Sequence, residues 1–278
     1  MLLAKSRVIP LSTLIAVIAG LLVITSLPSD LPYSAANSGA GGLHRLYEEL
    51  GARVLYSLKD LSGYDAAGYA LIVARRGGLE NMVGLKSFVE RGGLVIAYGS
   101  PDYIVGLLRG LGVNATFKGY VRDVMFGVDN QGYIVVNTTS RCGNIVLGNP
   151  YTLELEGALE NSFAHSSMFS YVDLNGNGFY DLEEPLGQFP LGVSITSGNG
   201  HVIIVFAKNF LDNSVLDPNK QFLKCTVEGR PVLIDQSEVA GNPLELLRLV
   251  LYKQDGHAYI TLMLAFILAL VAYFASWK

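Results

Sequence analysis

Charge is scarce in this chain. Only 16% of its residues are Asp, Glu, Lys or Arg, against roughly 25% in soluble domains. The formal net charge is -4, so there is no basic excess. That excludes nucleic acid as a partner, because neutralising phosphates needs a basic face. Cysteine is almost missing, with Cys142 and Cys225 alone. No internal repeat and no low-complexity linker interrupts the chain. His44, His165 and His201 are scattered, and none is spaced to pair with a Ser, a Cys or an acid as a nucleophile's base.

Apolar residues are abundant, at 50%. Two runs are free of charge, 8–29 and 258–277. A helix needs about 20 such residues to cross roughly 30 Å of hydrocarbon. Each run is therefore expected to form a transmembrane helix, with membrane lipid around it. A cleaved signal peptide is the alternative for the first run. Its apolar stretch exceeds the roughly 7–15 residues of such a peptide, and no A-x-A-like site follows. Lys5, Arg7 and Lys278 flank the outer ends, which puts residues 1–7 and the C-terminus in the cytoplasm. Residues 30–257 are then expected to form an extracytoplasmic domain.

Within that domain helical and strand patterns alternate. Residues 39–50 carry Leu43, Leu46, Tyr47 and Leu50 at helical spacing, and Gly51 is a natural terminator. Strands are predicted over 53–58, 69–74 and 94–98, and helices over 79–90 and 101–111. Continuous apolar runs such as 69–74 suit strands buried on both faces. Strands over 201–206 and 230–234 and a helix over 243–253 follow. This order predicts an α/β fold, a parallel sheet flanked by helices. Residues 113–192 have short alternating segments and read as a β-rich insert. Arg75-Arg76-Gly77-Gly78 reads as a solvated turn rather than an anion site.

The stretches 38–58, 69–99 and 200–223 resemble the membrane-anchored family called domain of unknown function 4350. Phe88-Val89-Glu90-Arg91-Gly92-Gly93, Asp212-Asn213-Ser214 and Val232-Leu233-Ile234-Asp235 carry the resemblance. It implies a class I glutamine amidotransferase-like, or flavodoxin-like, fold. It also implies partners such as a MoxR-type ATPase or an ABC-type transporter, with this chain as an accessory subunit. The turn where an amidotransferase holds its nucleophile is Tyr98-Gly99-Ser100-Pro101 here, without a Cys. The acid after the last strand, Asp235, lacks the His that often follows it in the family.

The sharpest motif runs from Asp173 to Glu184. It fits D-x-[DN]-x-[DN]-G-x₅-E at every specified position. The expected ligands of a calcium ion are Asp173, Asn175, Asn177, the Phe179 carbonyl, Asp181 and Glu184, since calcium takes six to eight oxygens. Pro185 blocks an exit helix, so an EF-hand-like staple is expected rather than a switch. An Asn-Gly turn without an ion is the alternative. Cys142 and Cys225 are candidates for a disulfide, with free thiols the alternative. Asn114 and Asn137 begin glycosylation triplets. Ser100, Asp212, Asn213 and Asp235 fall after strands, where open α/β sheets bind ligands. The resulting expectation is a non-catalytic binding or assembly domain that meets other membrane or surface proteins. A hydrolase or transferase at the outer face is the alternative.

Overall fold

Along the apolar runs, successive side chains face opposite ways. Leu71, Val73, Val95, Ala97 and Leu233 meet one apolar cluster. Ala70, Ile72, Ala74, Ile96, Tyr98 and Ile234 meet another. Strands apolar on both sides must be covered twice. The computed structural model, which describes residues 29–78, 81–128, 132–156 and 162–252 together with Gly20, shows how.

Helix α1 (His44–Leu50) is followed by strands β1 (Arg53–Leu55) and β2 (Ala70–Arg75). Helix α2 (Met82–Glu90), strand β3 (Leu94–Gly99) and helix α3 (Pro101–Gly110) come next. Asn81 caps α2 by accepting from the Gly84 N–H. Ser100 caps α3 by accepting from the Tyr103 N–H. Strands β4 (Ala115–Asp123), β5 (Gly127–Val128), β6 (Tyr133–Thr138), β7 (Ile145–Leu155), β8 (Ser162–His165) and β9 (Ser170–Asp173) occupy the middle. The chain closes with β10 (Pro190–Ser197), β11 (Gly200–Val205), β12 (Ala207–Asn209), helix α4 (Leu216–Val227), β13 (Val232–Asp235), the short α5 (Ser237–Ala240) and α6 (Pro243–Tyr252).

The expected architecture, a parallel amidotransferase- or flavodoxin-like sheet with a separate β-rich insert, is corrected by the strand pairing. Among the described residues thirteen strands form one mixed sheet, ordered β1-β13-β2-β3-β11-β10-β8-β6-β7-β4-β9, with β12 on β7 and β5 on β6. The neighbours β1, β13, β2, β3 and β11 run parallel. From β10 onward every pairing is antiparallel. The physical cause lies at β11. Beyond β3 its other edge still has unpaired N–H and C=O groups. β10 reaches that edge through the Gly198 turn (φ 59°) and pairs with it from Gly192↔Val205 to Ser197↔Gly200. An open edge recruits whichever strand is nearest, so residues 113–192 extend the sheet.

The helices divide between the faces. α2 and α3 bring Leu85, Phe88, Val89, Ile104, Leu107 and Leu108 to one cluster. α1, with Leu43 just before it, and α4 bring Leu43, Leu46, Leu216, Phe222 and Leu223 to the other. Among the described residues no helix is long and apolar enough to cross a membrane, and the expectation of a transmembrane architecture is corrected to that extent. The two runs read as spans, 8–29 and 258–277, fall outside the described residues apart from Gly20 and Ser29.

Candidate functional site at the ends of the parallel strands

After β2 the chain leads to α2 on one face of the sheet. After β13 it enters α5, whose Val239 packs with Ala35, Ala36 and Leu249 beside Tyr47 of α1, on the other face. The strands are neighbours and their exits lead to opposite faces, the arrangement that sets up a crevice in open α/β sheets. In open α/β sheets such a switch point is where ligands settle.

Asp235 and Arg75 form the floor. Both are almost fully buried, at 3% exposure. Arg75 Nε and Nη2 donate to Asp235 Oδ2 at 2.8 and 2.7 Å. The Ser237 N–H and hydroxyl donate to Oδ1 at 3.0 and 2.7 Å. Arg75 also donates to the Ser237 hydroxyl oxygen and to the Gly78 carbonyl. With its oxygens engaged in this way, Asp235 anchors the crevice and has no lone pair aimed at a substrate. Gly99 brings the exits of β2 and β3 together. Its φ is 141°, and a Cβ there would lie 2.1 Å from the Arg75 carbonyl oxygen. No other residue fits that approach.

The wall is polar. The N–H groups of Arg76 and Gly77 donate to the two oxygens of the Glu238 carboxylate at 3.1 and 2.9 Å. The Ser100 hydroxyl donates to the Arg76 carbonyl at 2.7 Å, so it caps α3 and closes the turn rather than attacking anything. The Arg76 guanidinium is exposed and has no hydrogen bond or ion pair among the described residues. Asp102, exposed in the first turn of α3, makes none either. The Tyr103 hydroxyl is fully buried without a hydrogen-bond partner. Burial holds it well above its ordinary pKa, and the Asp235 charge adds to that.

Of the four residues predicted to form a ligand edge, Ser100 and Asp235 lie at this crevice. Asp212 and Asn213 serve the loop before α4. Asp212 is fully buried and accepts from Asn209 Nδ2 and from the Ser214 N–H and hydroxyl. Burial raises its pKa, against the lowering effect of those hydrogen bonds. Asn213 ties the loop to the start of α1, donating to the carbonyls of Asn37 and Gly39 and accepting from the Arg45 N–H. No hydrogen bond among the described residues links these four to one another. Sequence reading missed Arg76, Asp102 and Glu238. Glu238 lies three residues past Asp235, so the rule that placed Asp235 at a strand exit reaches it too.

The loop from Asp173 to Glu184 curls into a closed ring between β9 and β10. Asp173, 3% exposed, accepts from the N–H groups of Gly176 and Gly178 at 2.7 and 3.1 Å. Glu184, 6% exposed, accepts from Leu174 and Asp181 at 2.8 and 3.1 Å. The side-chain amides of Asn175 and Asn177 converge on Asp181 Oδ2 at 2.6 and 2.9 Å. Gly176 and Gly178 take φ of 75° and 79°, which lets the ring turn sharply. No group of three or more His, Cys, Asp or Glu among the described residues is arranged to hold a metal ion. An ion here would depend on Asn and main-chain oxygens as well.

Cys142 and Cys225 are joined in a disulfide, with Cα atoms 5.5 Å apart. Asn114 is exposed and its amide donates to Glu156. Asn137 is exposed on β6, paired with His165 of β8.

No protein-family model and no curated protein matches the sequence. Several solved structures align with part of the chain. An exo-β-1,4-mannosidase from Opitutaceae bacterium strain TAV5 matches at 18% identity and a TM-score of 0.31, over 57% of this chain and 24% of its own. A cold-adapted β-galactosidase from Rahnella sp. R3 matches at 18% identity and a TM-score of 0.36, over 62% and 24%. A β-galactosidase from Bacillus circulans sp. alkalophilus matches at 15% identity and a TM-score of 0.36, over 62% and 24%. The chain spans about a quarter of the length of these structures. The reading as a membrane-anchored, non-catalytic binding or assembly domain is corrected here. The solved structures named above are a mannosidase and two β-galactosidases, and among the described residues no helix is long and apolar enough to cross a membrane. At these scores the likeness assigns no activity to this chain.

Proposed function

We propose that this chain is a hydrolase-type domain that takes a small, hydroxyl-rich substrate in the crevice between the exits of β2, β3 and β13. The observation that carries this reading is the pair of charged side chains there, Arg76 and Asp102, which make no hydrogen bond or ion pair among the described residues, beside the fixed Arg75–Asp235 floor. Hydroxyl groups are recognised by donors and acceptors set side by side, and these two supply both. Asp102 is the acid available for proton transfer to or from a leaving oxygen. The expected result is slow release of nitrophenol by the full chain from one or more of a panel of nitrophenyl glycosides. Asp102→Asn should lower kcat/KM about a hundredfold, the lower end for loss of a general acid, with an unchanged melting curve. Release that is the same in both proteins, or none with any substrate, removes this reading.

The disulfide supports an oxidising, extracytoplasmic setting. A calcium ion bound by the ring at Asp173, Asn175, Asn177, Phe179, Asp181 and Glu184 is part of the same proposal. Two buried carboxylates facing into a ring held by left-handed glycines support it. Binding would turn the oxygens of Asn175 and Asn177 inward in place of their amide N–H groups, and its role is to staple β9 to β10. With a dissociation constant on the order of 10⁻⁴–10⁻³ M, about 10 mM calcium should stabilise the fold by about 1–3 kcal/mol. Calorimetric scans with calcium and with chelator should then differ by several degrees. Glu184→Gln should erase the difference, and coincident scans of the unmodified chain would dismiss the ion.

A further inference from the structure

Glu238 occupies its position in an unusual way for an exposed acid. Its side chain has no cationic partner among the described residues. Instead its two oxygens each take one main-chain N–H, from Arg76 and Gly77, at 3.1 and 2.9 Å. Two successive N–H groups aimed at one point form an anion-binding concavity. The two-oxygen, two-donor match is that of a planar carboxylate. Gly77 keeps the cradle open, because a Cβ there would come within 3.2 Å of Glu238 Oε1. The exposed Arg76 guanidinium, without an ion pair among the described residues, belongs to the same turn. The carboxylate arrives from α5, a helix of four residues, at the rim of the crevice. A solvated turn accounts for none of this pairing.

We propose that the Arg76–Gly77 turn is a carboxylate-binding site that Glu238 closes in the ligand-free protein, and that the substrate of the crevice is an acidic sugar whose carboxylate displaces it. The inference rests on the reading of the crevice as the substrate site, and it adds the charge of the substrate. Displacement proceeds as an exchange of hydrogen-bond acceptors. The two N–H groups release the Glu238 oxygens and donate to the ligand's, Arg76 swings onto the ligand carboxylate, and Glu238 moves into water. Glu238 is therefore an internal competitor, and it lowers the apparent affinity by the fraction of time it holds the site.

Two sugars that differ in one carboxylate, glucuronate and glucose, test this on the full chain by titration calorimetry. Glucuronate should bind more tightly than glucose. Glu238→Ala should tighten glucuronate about tenfold, as expected when a competitor present about nine-tenths of the time is removed, and leave glucose unchanged. Arg76→Ala, at an exposed position, should weaken glucuronate more than glucose. Should Glu238→Ala fail to fold, Glu238→Gln serves, since an amide matches two N–H donors poorly. Equal binding of the two sugars overturns the carboxylate site and leaves the crevice reading standing, as does glucuronate affinity indifferent to Glu238. Inorganic phosphate binding to the variant in preference to glucuronate also overturns it. Turnover of neutral nitrophenyl glycosides reports on the crevice independently of all these outcomes.

Discussion

Replacing Asp235 by Ala is expected to cost about 3–5 kcal/mol of stability, the range for breaking a buried ion pair from one side. The reason is what remains. Arg75 is 3% exposed and carries a guanidinium. Without Asp235 it loses both bonds to Oδ2, and the Ser237 hydroxyl and N–H lose their acceptor at the same time. One Gly78 carbonyl, at 3.2 Å, and the Ser237 oxygen cannot balance a guanidinium out of water. Urea unfolding monitored by circular dichroism should show the midpoint falling with little change in slope. A double variant, Arg75→Met with Asp235→Leu, should recover much of the loss, because removing both charges together is often neutral. If Asp235→Ala unfolds at the same midpoint as the original chain, the pair is not the floor of the crevice.

Reduction of the Cys142–Cys225 bridge is expected to have an effect of similar size. The two residues lie 83 apart in sequence, and closing a loop of that length in the unfolded chain corresponds to about 4.5 kcal/mol. The bridge also joins two regions that pack together, with Phe163 of β8 stacked on Phe222 of α4 against one apolar cluster. Cys142 sits in the turn between β6 and β7, in the antiparallel half of the sheet, and Cys225 sits in α4, which packs on β7. The side chain of Asn219 in α4 ties to β7, accepting from the Val146 N–H and donating to the Val146 carbonyl at 2.7 and 2.8 Å. A Cys142→Ser, Cys225→Ser chain should melt roughly 9–18 °C lower at this size. Reductant should lower the original chain equally and leave the double variant unmoved. A drop of less than about 2 °C would show that the unfolded chain is already compact without the bridge.

The parallel strands are legible because their pattern is local. Val95-Ile96-Ala97 or Leu71-Ile72-Val73 can be satisfied only by burial on both sides, whatever lies further along the chain. Helix ends are legible where a cap is local too. Ser100 before Pro101 marks the start of α3, and Gly51, with φ 56°, ends α1. The predicted start of α1 at residue 39 misses, because Asn37 and Asn213 hold the preceding turn open with long-range bonds. α4 is absent from the sequence reading. Its buried positions Leu216, Asn219, Phe222 and Leu223 include a polar one, satisfied by β7 and by the Phe210 carbonyl. The ring from Asp173 to Glu184 is legible because it is built from twelve consecutive residues.

Composition, strand positions, the carboxylate ring and two thiols able to pair are properties of short stretches, and a linear reading reaches them through local sterics and burial. Which edge β10 joins is different, since hydrogen bonding offers the same groups to any strand and proximity chooses. The role of Glu238 is different again. It is an ordinary surface acid until the fold carries it against the main chain of Arg76 and Gly77, 162 and 161 residues away. Backbone N–H groups are alike at every position, so no pattern of side chains could have marked these two.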